Sequence, residues 1–305
     1  MKVCDMKRLS IVIVTYNSEK DIFDCITSVF HHNDIGAEAL EVIVVDNNSR
    51  DGEGMFRELR KRFGERLVLI SNEHNGGYGQ GNNVGIRRAA APVVMIMNPD
   101  VRLMEPVFST ALQAFDSDSQ LSLYGMKMML TETRPSRNSF VCTYMMNGYL
   151  STLLSAFCSR FDLYIPRYMY IAGACFFLRR SLFLDIGMFD ERVFLYGEED
   201  DIRYRLAKRF GAHFKYNRHL HYMHLTMDRK PSIKYEKAKV DVAVEHAVRK
   251  GYPRERILRN RLQNTRLLLL RERIRHRHSA QYAVLRELME YIKNQLKQGG
   301  RSKRP

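Results

Sequence analysis

The chain has 305 residues, 45% of them hydrophobic, enough for one large domain with a substantial core and an appendage. Its five cysteines (Cys4, Cys25, Cys142, Cys158, Cys175) are scattered, odd in number and without a CxxC pair, which argues against a disulfide framework or a zinc site and for reduced thiols in a cytosolic protein. The net charge of +15 sits at one end: residues 229–305 hold 22 Lys and Arg against seven Asp and Glu, while residues 1–228 hold 27 of each. A neutral domain, 1–228, followed by a basic helical extension, 229–305, is the expected division. The stretch from Met1 to Arg8 lacks the apolar region of a signal peptide, and no apolar run of about 18 residues reads as a membrane span.

Residues 9–14 are an apolar run that reads as a buried strand, leading into Thr15, Tyr16, Asn17 and Ser18. Helical spacing follows at Ile22, Cys25, Ile26, Val29 and Phe30, with Ser18 as the expected N-cap. Residues 41–45 make a second strand ending at Asp46, and 52–63 the next helix. Residues 67–70 make a third strand. The glycine-rich run from Asn75 to Gly85 enters a helix ending near Ala91, and 93–97 is a fourth strand. This alternation argues for a parallel, doubly wound sheet whose polar strand exits share one edge.

Ligands of such sheets sit in the crevice beyond the strand ends. Pro99 ends the fourth strand because it fixes φ and lacks an N–H, leaving Asp100 at a rigid exit that suits a divalent cation. Asn98-Pro99-Asp100 is also good turn chemistry. Asp46 either caps the following helix or accepts hydrogen bonds from a base or ribose. Gly76, Gly77, Gly79, Gly81 and Gly85 either make a flexible loop or let backbone approach a phosphate at a helix N-terminus. The run is neither GxGxxG after the first strand nor GxxxxGK[ST], which disfavours dinucleotide and P-loop folds.

Further along, 105–116 reads as helix, 121–130 as extended and 173–180 as another strand, while 131–170 reads as irregular, its Tyr, Met and Phe content either core or an adaptable acceptor or membrane-facing surface. Ser181 is expected to cap a short helix to Ile186. Glu198, Glu199, Asp200 and Asp201 open a helix through Ile202, Leu206 and Phe210. Acids favour a helix N-terminus, but four adjacent ones repel and raise the pKa of at least one, as a general base near a crevice requires. Residues 213–217 and 219–224 read as two closing strands carrying His219, His221 and His224.

The ordered blocks IVIVTYN, VIVVDNNSRDG, NGGYGQGNNVGI, MNPDV, GACFFLRRSLFLDIGMFDE and FLYGEEDDIRYRL resemble the family 2 glycosyltransferases, particularly the rhamnosyltransferase-like branch of bacterial surface-polysaccharide biosynthesis, over about residues 9–225. The resemblance implies an α/β GT-A fold, with a mixed, mainly parallel sheet flanked by helices. It also implies inverting transfer from a nucleoside-diphosphate sugar with Mg²⁺ or Mn²⁺. Thr15, Tyr16, Asn17, Asp46 and Asn48 match the nucleotide-binding positions, and Asn75, Gly76, Gly77, Asn82 and Asn83 the donor-site loop. Asn98 and Asp100 match the DxD-type metal motif, with Asn in place of the first acid. Glu198 and Glu199 match the acidic pair that supplies the base, here Glu199, and Asp201 the downstream aspartate. His224 matches a histidine after the last core strand, a candidate metal ligand, although the usual Gly-x-Ser does not follow it.

Three helical stretches are expected in the extension: 233–248 (Ala238, Val242, Ala247), 254–275 with Leu267–Leu270, and a stripe of Leu285, Leu288, Ile292 and Leu296. They form either a solvated face packed on the body or an interfacial surface on an anionic leaflet, where each Lys or Arg contributes about 1 kcal/mol. The expected partners are a nucleoside-diphosphate sugar (dTDP-rhamnose or a UDP-sugar), a polysaccharide or lipid-linked acceptor and an anionic membrane surface met by the basic tail, with no nucleic acid. The expected location is cytoplasmic and peripheral on the inner membrane. A non-catalytic nucleotide-sugar-binding scaffold is the alternative.

Overall fold

The computed structural model describes residues 7–143, 145–225, 231–275 and 279–301. In chain order the elements are β1 (Leu9–Thr15), α1 (Ile22–His31), β2 (Leu40–Asp46), α2 (Gly52–Phe63), β3 (Leu67–Ser71), α3 (Gly77–Arg88), β4 (Val93–Met97), β5 (Val101–Leu103), α4 (Phe108–Ser117) and β6 (Leu123–Met129). They continue with β7 (Phe140–Cys142), α5 (Gly148–Phe161), β8 (Met169–Ile171), β9 (Cys175–Arg179), α6 (Arg180–Asp185), α7 (Glu198–Phe210), β10 (Phe214–His224), α8 (Ile233–Arg249), α9 (Arg254–Arg275) and α10 (Ala280–Arg301).

Contacts divide the chain into two compact units, residues 1–140 with 171–226, and residues 141–170 with 227–305. The first holds an eight-stranded mixed sheet in the order β3-β2-β1-β4-β9-β6-β10-β5. β3, β2, β1 and β4 are parallel neighbours, so their C-terminal ends share one edge as expected. β9 runs antiparallel to β4 and β6, with Met97 opposite Cys175. The start of β9 therefore lies beside the end of β4. Strands such as β4 are buried along their whole length because the sheet is covered on both faces, which is why they read as unbroken apolar runs. One continuous core joins Ile11, Ile13, Val42, Val44 and Met95 of the sheet to Ile22, Ile26, Phe56, Leu59, Phe108 and Phe115 of the helices.

Several local expectations are corrected. The two closing strands are one, β10, with a register shift between Asn217 and His221 that had looked like a break. α1 begins at Ile22, beyond the reach of a Ser18 cap, and the Ser18 hydroxyl instead donates to the Tyr16 carbonyl at 3.3 Å. Arg179 rather than Ser181 holds the cap position of α6. β5, only three residues long, was not legible.

The stretch 131–170 that looked irregular contains β7, β8 and the 14-residue helix α5, the helix lying in the second unit. The Asn147 side chain caps α5, accepting from the N–H groups of Tyr149 and Leu150 at 3.0 and 3.3 Å. Residues 141–170 group with the C-terminal helices, whereas the expected break near 228 assigned them to the first domain. The core of this unit joins Val240, Val244, Ala247, Ile257, Leu258, Leu262, Leu288 and Ile292. The stripe on α10 is as expected, with Leu285, Leu288 and Ile292 buried. On α8 the buried face is Val240, Ala243, Val244 and Ala247, shifted from the Ala238, Val242, Ala247 face read from the sequence. The four-leucine run ends exposed, at Leu270. Among the described residues no helix is long and apolar enough to cross a membrane.

Candidate active site

The exits of β1 and β2 are fastened to each other through Asp46. Its Oδ1 accepts from the Thr15 and Ser49 hydroxyls at 2.9 and 2.5 Å, and its Oδ2 from the Ser49 N–H at 2.9 Å. Asp46 is buried and saturated by these bonds, while Asp51 occupies the cap of α2. Asn17 and Asn48 adopt left-handed backbone, φ +51° and +63°, which asparagine tolerates better than most residues. The Asn17 N–H donates to Ser49 Oγ at 2.8 Å, and its Oδ1 accepts from the Arg50 N–H at 3.0 Å. Tyr16 stands exposed beside this clasp.

The glycine-rich run places its close approaches where side chains would collide. Gly77 has φ +88°, and a Cβ there would run into the Phe194 carbonyl. That carbonyl accepts from the Tyr78 N–H at 3.2 Å. Asn75 Oδ1 accepts from the Gly77 N–H at 3.0 Å. Asn83 is consumed by the chain near 190, donating to the Phe189 carbonyl and Glu191 and accepting from the Phe189 N–H at 3.1 Å. Asn82 donates to the Tyr78 carbonyl at 2.9 Å, and its buried Oδ1 has no partner. Asn83 thus ties α3 to the chain near 190, while Asn82 bonds back one turn within α3. Gly76 adjoins Gln80, which accepts from Asn72 at 2.6 Å.

At the end of β4, the Asn98 N–H donates to the Ala174 carbonyl at 2.8 Å, tying β4 to the start of β9. Two residues on, Asp100 Oδ2 lies 3.2 Å from Nε2 of His224. The Leu225 N–H donates to the Asp100 carbonyl at 2.9 Å, and β5 pairs with β10, His224 opposite Val101. His219 and His221 are elsewhere: His221 Nδ1 pairs with Glu105 at 2.7 Å, and His219 is exposed.

Consecutive left-handed residues, Tyr196 (φ +79°) and Gly197 (φ +85°), reverse the chain immediately before α7. Such backbone is costly for tyrosine and is often found at functional sites. The four acids then divide. Asp200 pairs with Arg203 at 3.3 Å and Asp201 with Arg205 at 2.7 Å. Glu198 is buried and Glu199 half-buried, and among the described residues no cation is paired to either in this way. Burial pushes the Glu198 carboxyl up to about 8, helped by the adjacent Glu199 charge and opposed by the N–H groups of Glu198 and Tyr196. Burial also raises Glu199, although it accepts from its own N–H and that of Gly173. The Gly173 carbonyl accepts from the Tyr78 hydroxyl at 2.6 Å. Burial and the two glutamates hold the Tyr78 phenol well above its ordinary value.

A continuous path therefore links the edge. Asn98, two residues before Asp100, bonds Ala174; Gly173 holds Glu199; Tyr78 joins Gly173 to α3. Three participants were missed in the sequence. Asn47, buried between Asp46 and Asn48, donates to the Gly77 carbonyl at 3.0 Å and accepts from Asn72 at 3.0 Å. Tyr78 lay unremarked inside the glycine run. Arg102 donates to the Pro99 and Val101 carbonyls at 3.0 and 2.8 Å, closing the turn around Asp100. The polar residue directly after a buried strand was the available signal for Asn47.

The family model described as glycosyl transferase family 2 matches residues 10–187. The low-salt glycan biosynthesis hexosyltransferase Agl10 of Haloferax volcanii is 26% identical over 208 residues, 66% of this chain and 62% of that protein. The minor teichoic acid biosynthesis protein GgaB of Bacillus subtilis is 24% identical over 132 residues, 43% of this chain and 14% of its own length. The chain thus spans less than two thirds of these relatives. Among solved structures, the mannosyltransferase PcManGT from Pyrobaculum calidifontis, in complex with GDP-Man and Mn²⁺, superposes with a TM-score of 0.57 at 15% identity, covering 96% of this chain and 79% of that one. S. aureus TarS 1–349 in complex with UDP-GlcNAc gives 0.54 at 17%, covering 88% and 74%. These likenesses show the GT-A fold. The extent of the family match makes this chain a member of glycosyl transferase family 2.

Proposed function

We propose that this glycosyltransferase moves a sugar, with inversion, from a nucleoside diphosphate (dTDP-rhamnose or a UDP-sugar) to a polysaccharide or lipid-linked acceptor at the cytoplasmic face of a membrane. The observation that carries the reading is the bonded path from Asp100 through Asn98, Ala174 and Gly173 to Glu199. It puts a carboxylate–imidazole pair and the half-buried Glu199 carboxylate at one sheet edge. Complexes of two structural neighbours with nucleotide sugars, one of them with Mn²⁺, support the donor class.

The Asp100 carboxylate and His224 imidazole, both partly exposed, are an oxygen and nitrogen donor set that fits Mn²⁺ or Mg²⁺. Among the described residues no third metal-type side chain joins them, so diphosphate oxygens and water would complete the shell. A divalent ion held there would neutralise charge on the leaving diphosphate. Tyr16, exposed beside the Asp46 clasp, offers an aromatic face to the base, and Asn17, Asp46 and Asn48 shape the backbone around it. Asn75, Gly76 and Gly77 bring the α3 N-terminus to the diphosphate. Glu199, held by the Gly173 N–H, takes the proton of the acceptor hydroxyl. Glu198, pushed up to about 8, keeps its proton near neutral pH and so spares the pair a second charge, and Asp201 anchors α7 through Arg205. Inversion needs one base and no covalent nucleophile.

The test is a thermal-shift screen of nucleoside-diphosphate sugars with and without Mn²⁺. A donor at about 100 times its dissociation constant stabilises by about 2.7 kcal/mol. A metal-dependent rise with one nucleotide series, followed by slow release of the inverted sugar, is the expected result. A shift without sugar release at any pH favours the non-catalytic scaffold, and no shift with any donor rejects the donor site.

A further inference from the structure

Helix α5 is built inside out. The side that packs within its own unit is small and polar. Gly148 approaches the Asn260 carbonyl so closely that a Cβ would collide, and its N–H donates to Gln263 at 3.0 Å. The Thr152 hydroxyl accepts from Asn264 at 2.7 Å. Ser151 and Ser155 line a cavity of about 160 Å³ with Asn260 and Asn264. The opposite side carries Leu150, Leu153, Phe157 and Phe161, exposed by 55%, 64%, 55% and 56%. Their spacing of three, four and four residues confines them to an arc of about 80°. Four large apolar side chains on one outward stripe exceed what scattered surface hydrophobics explain and require a partner.

We propose that α5 inserts this stripe into the surface of an anionic lipid bilayer. The proposal rests on the reading of a membrane-face transferase above and names the element that enters the lipid. Charge complementarity selects the bilayer over an apolar protein groove. Residues 141–170 and 227–305 carry 24 Lys and Arg against nine Asp and Glu. The helix that receives α5, α9, adds exposed Leu270 and Ile274 among Arg266, Arg271 and Arg273. Tyr149 and Tyr168 are exposed near the two ends of the stretch, as amphipathic rings are at an interface, and Arg160 and Arg167 lie over Phe161 and Tyr168. Apolar residues that enter the acyl boundary, with basic residues over the headgroups, are the two parts of interfacial binding.

The chain has no tryptophan, so Phe157→Trp supplies a unique reporter on the stripe. With vesicles of phosphatidylcholine containing about 30 mol% phosphatidylglycerol, its emission should shift to the blue and be quenched by acyl-brominated lipid, and phosphatidylcholine alone should give a much smaller change. The Leu153→Ser/Phe157→Ser double variant alters only exposed side chains and should keep its melting temperature. Its vesicle affinity should fall about a hundredfold. Unquenched emission with anionic vesicles overturns the proposal. So does vesicle binding that the double variant leaves intact, which assigns attachment to the tail's charge alone. A dimer in solution that the double variant dissolves overturns it in favour of a second copy. The donor thermal shift, measured on the same proteins without vesicles, reports the donor site separately. Loss of that shift with vesicle insertion intact would condemn only the transferase site, and the converse only the lipid surface.

Discussion

His224 Nε2 stands 3.2 Å from Asp100 Oδ2, although 124 residues separate them in the chain. β5 and the end of β10 bring them together, and the absence of Gly-x-Ser after His224 does not disturb the pairing. Asp100→Ala should abolish the metal-dependent part of donor stabilisation. His224→Ala should raise the Mn²⁺ concentration for half-maximal stabilisation about 10- to 100-fold, on the scale seen when a metal site loses a supporting group. Mn²⁺ titration of the donor thermal shift checks both. An unaltered titration in His224→Ala would remove His224 from the ligand set.

Glu199→Gln keeps the hydrogen-bonding shape of the side chain but cannot accept a proton. Turnover should fall about 10²- to 10⁴-fold with the donor dissociation constant unchanged. The wild-type kcat/KM should rise with pH above the usual carboxylate range, because burial raises the base and only its ionised form acts. Near-normal turnover by the variant would transfer the role to Glu198.

Glu198 makes a second pH prediction with the opposite sense. Its folded value, about 8, is above the ordinary 4.5, so the folded state binds more protons than the unfolded state between these values. Its contribution to stability is full below about 4.5 and is lost as pH rises through about 8. Glu198→Gln should flatten this fall and raise the melting temperature at pH 8 by several degrees relative to wild type. A variant whose melting temperature tracks wild type across pH 5–9 would show that Glu198 is not the titrating group.

Gly85 is where α3 lies against β1. A Cβ there would strike both γ-carbons of Val12, a stiff side chain in the middle of the sheet that cannot move aside. Gly85→Ala should therefore lower stability by about 1–3 kcal/mol, despite the better helix propensity of alanine, which offsets up to about 1 kcal/mol. Urea unfolding measures this. An unchanged midpoint would mean that α3 can lift from the strand.

The sequence by itself determined the first four strands, their order of appearance and shared edge, and the resemblance to the family. These rest on local signals: unbroken apolar runs, breakers such as Pro99, and short motifs at strand exits. Tertiary structure decided which candidate residues face the crevice. Asn83 sits in the motif but its side chain ties α3 to the chain near 190, because burial forces polar groups to find partners wherever the fold supplies them, while Asn82 bonds back to Tyr78 within α3. It also separated the four acids of α7, since the cations beside Asp200 and Asp201 and the low-dielectric surroundings of Glu198 and Glu199 come from packing. The sequence leaves open, for the same cause, whether the apolar residues of 131–170 are core or an outward surface. Periodicity reveals an apolar stripe, but only the partners of the opposite face show that the stripe points out rather than in.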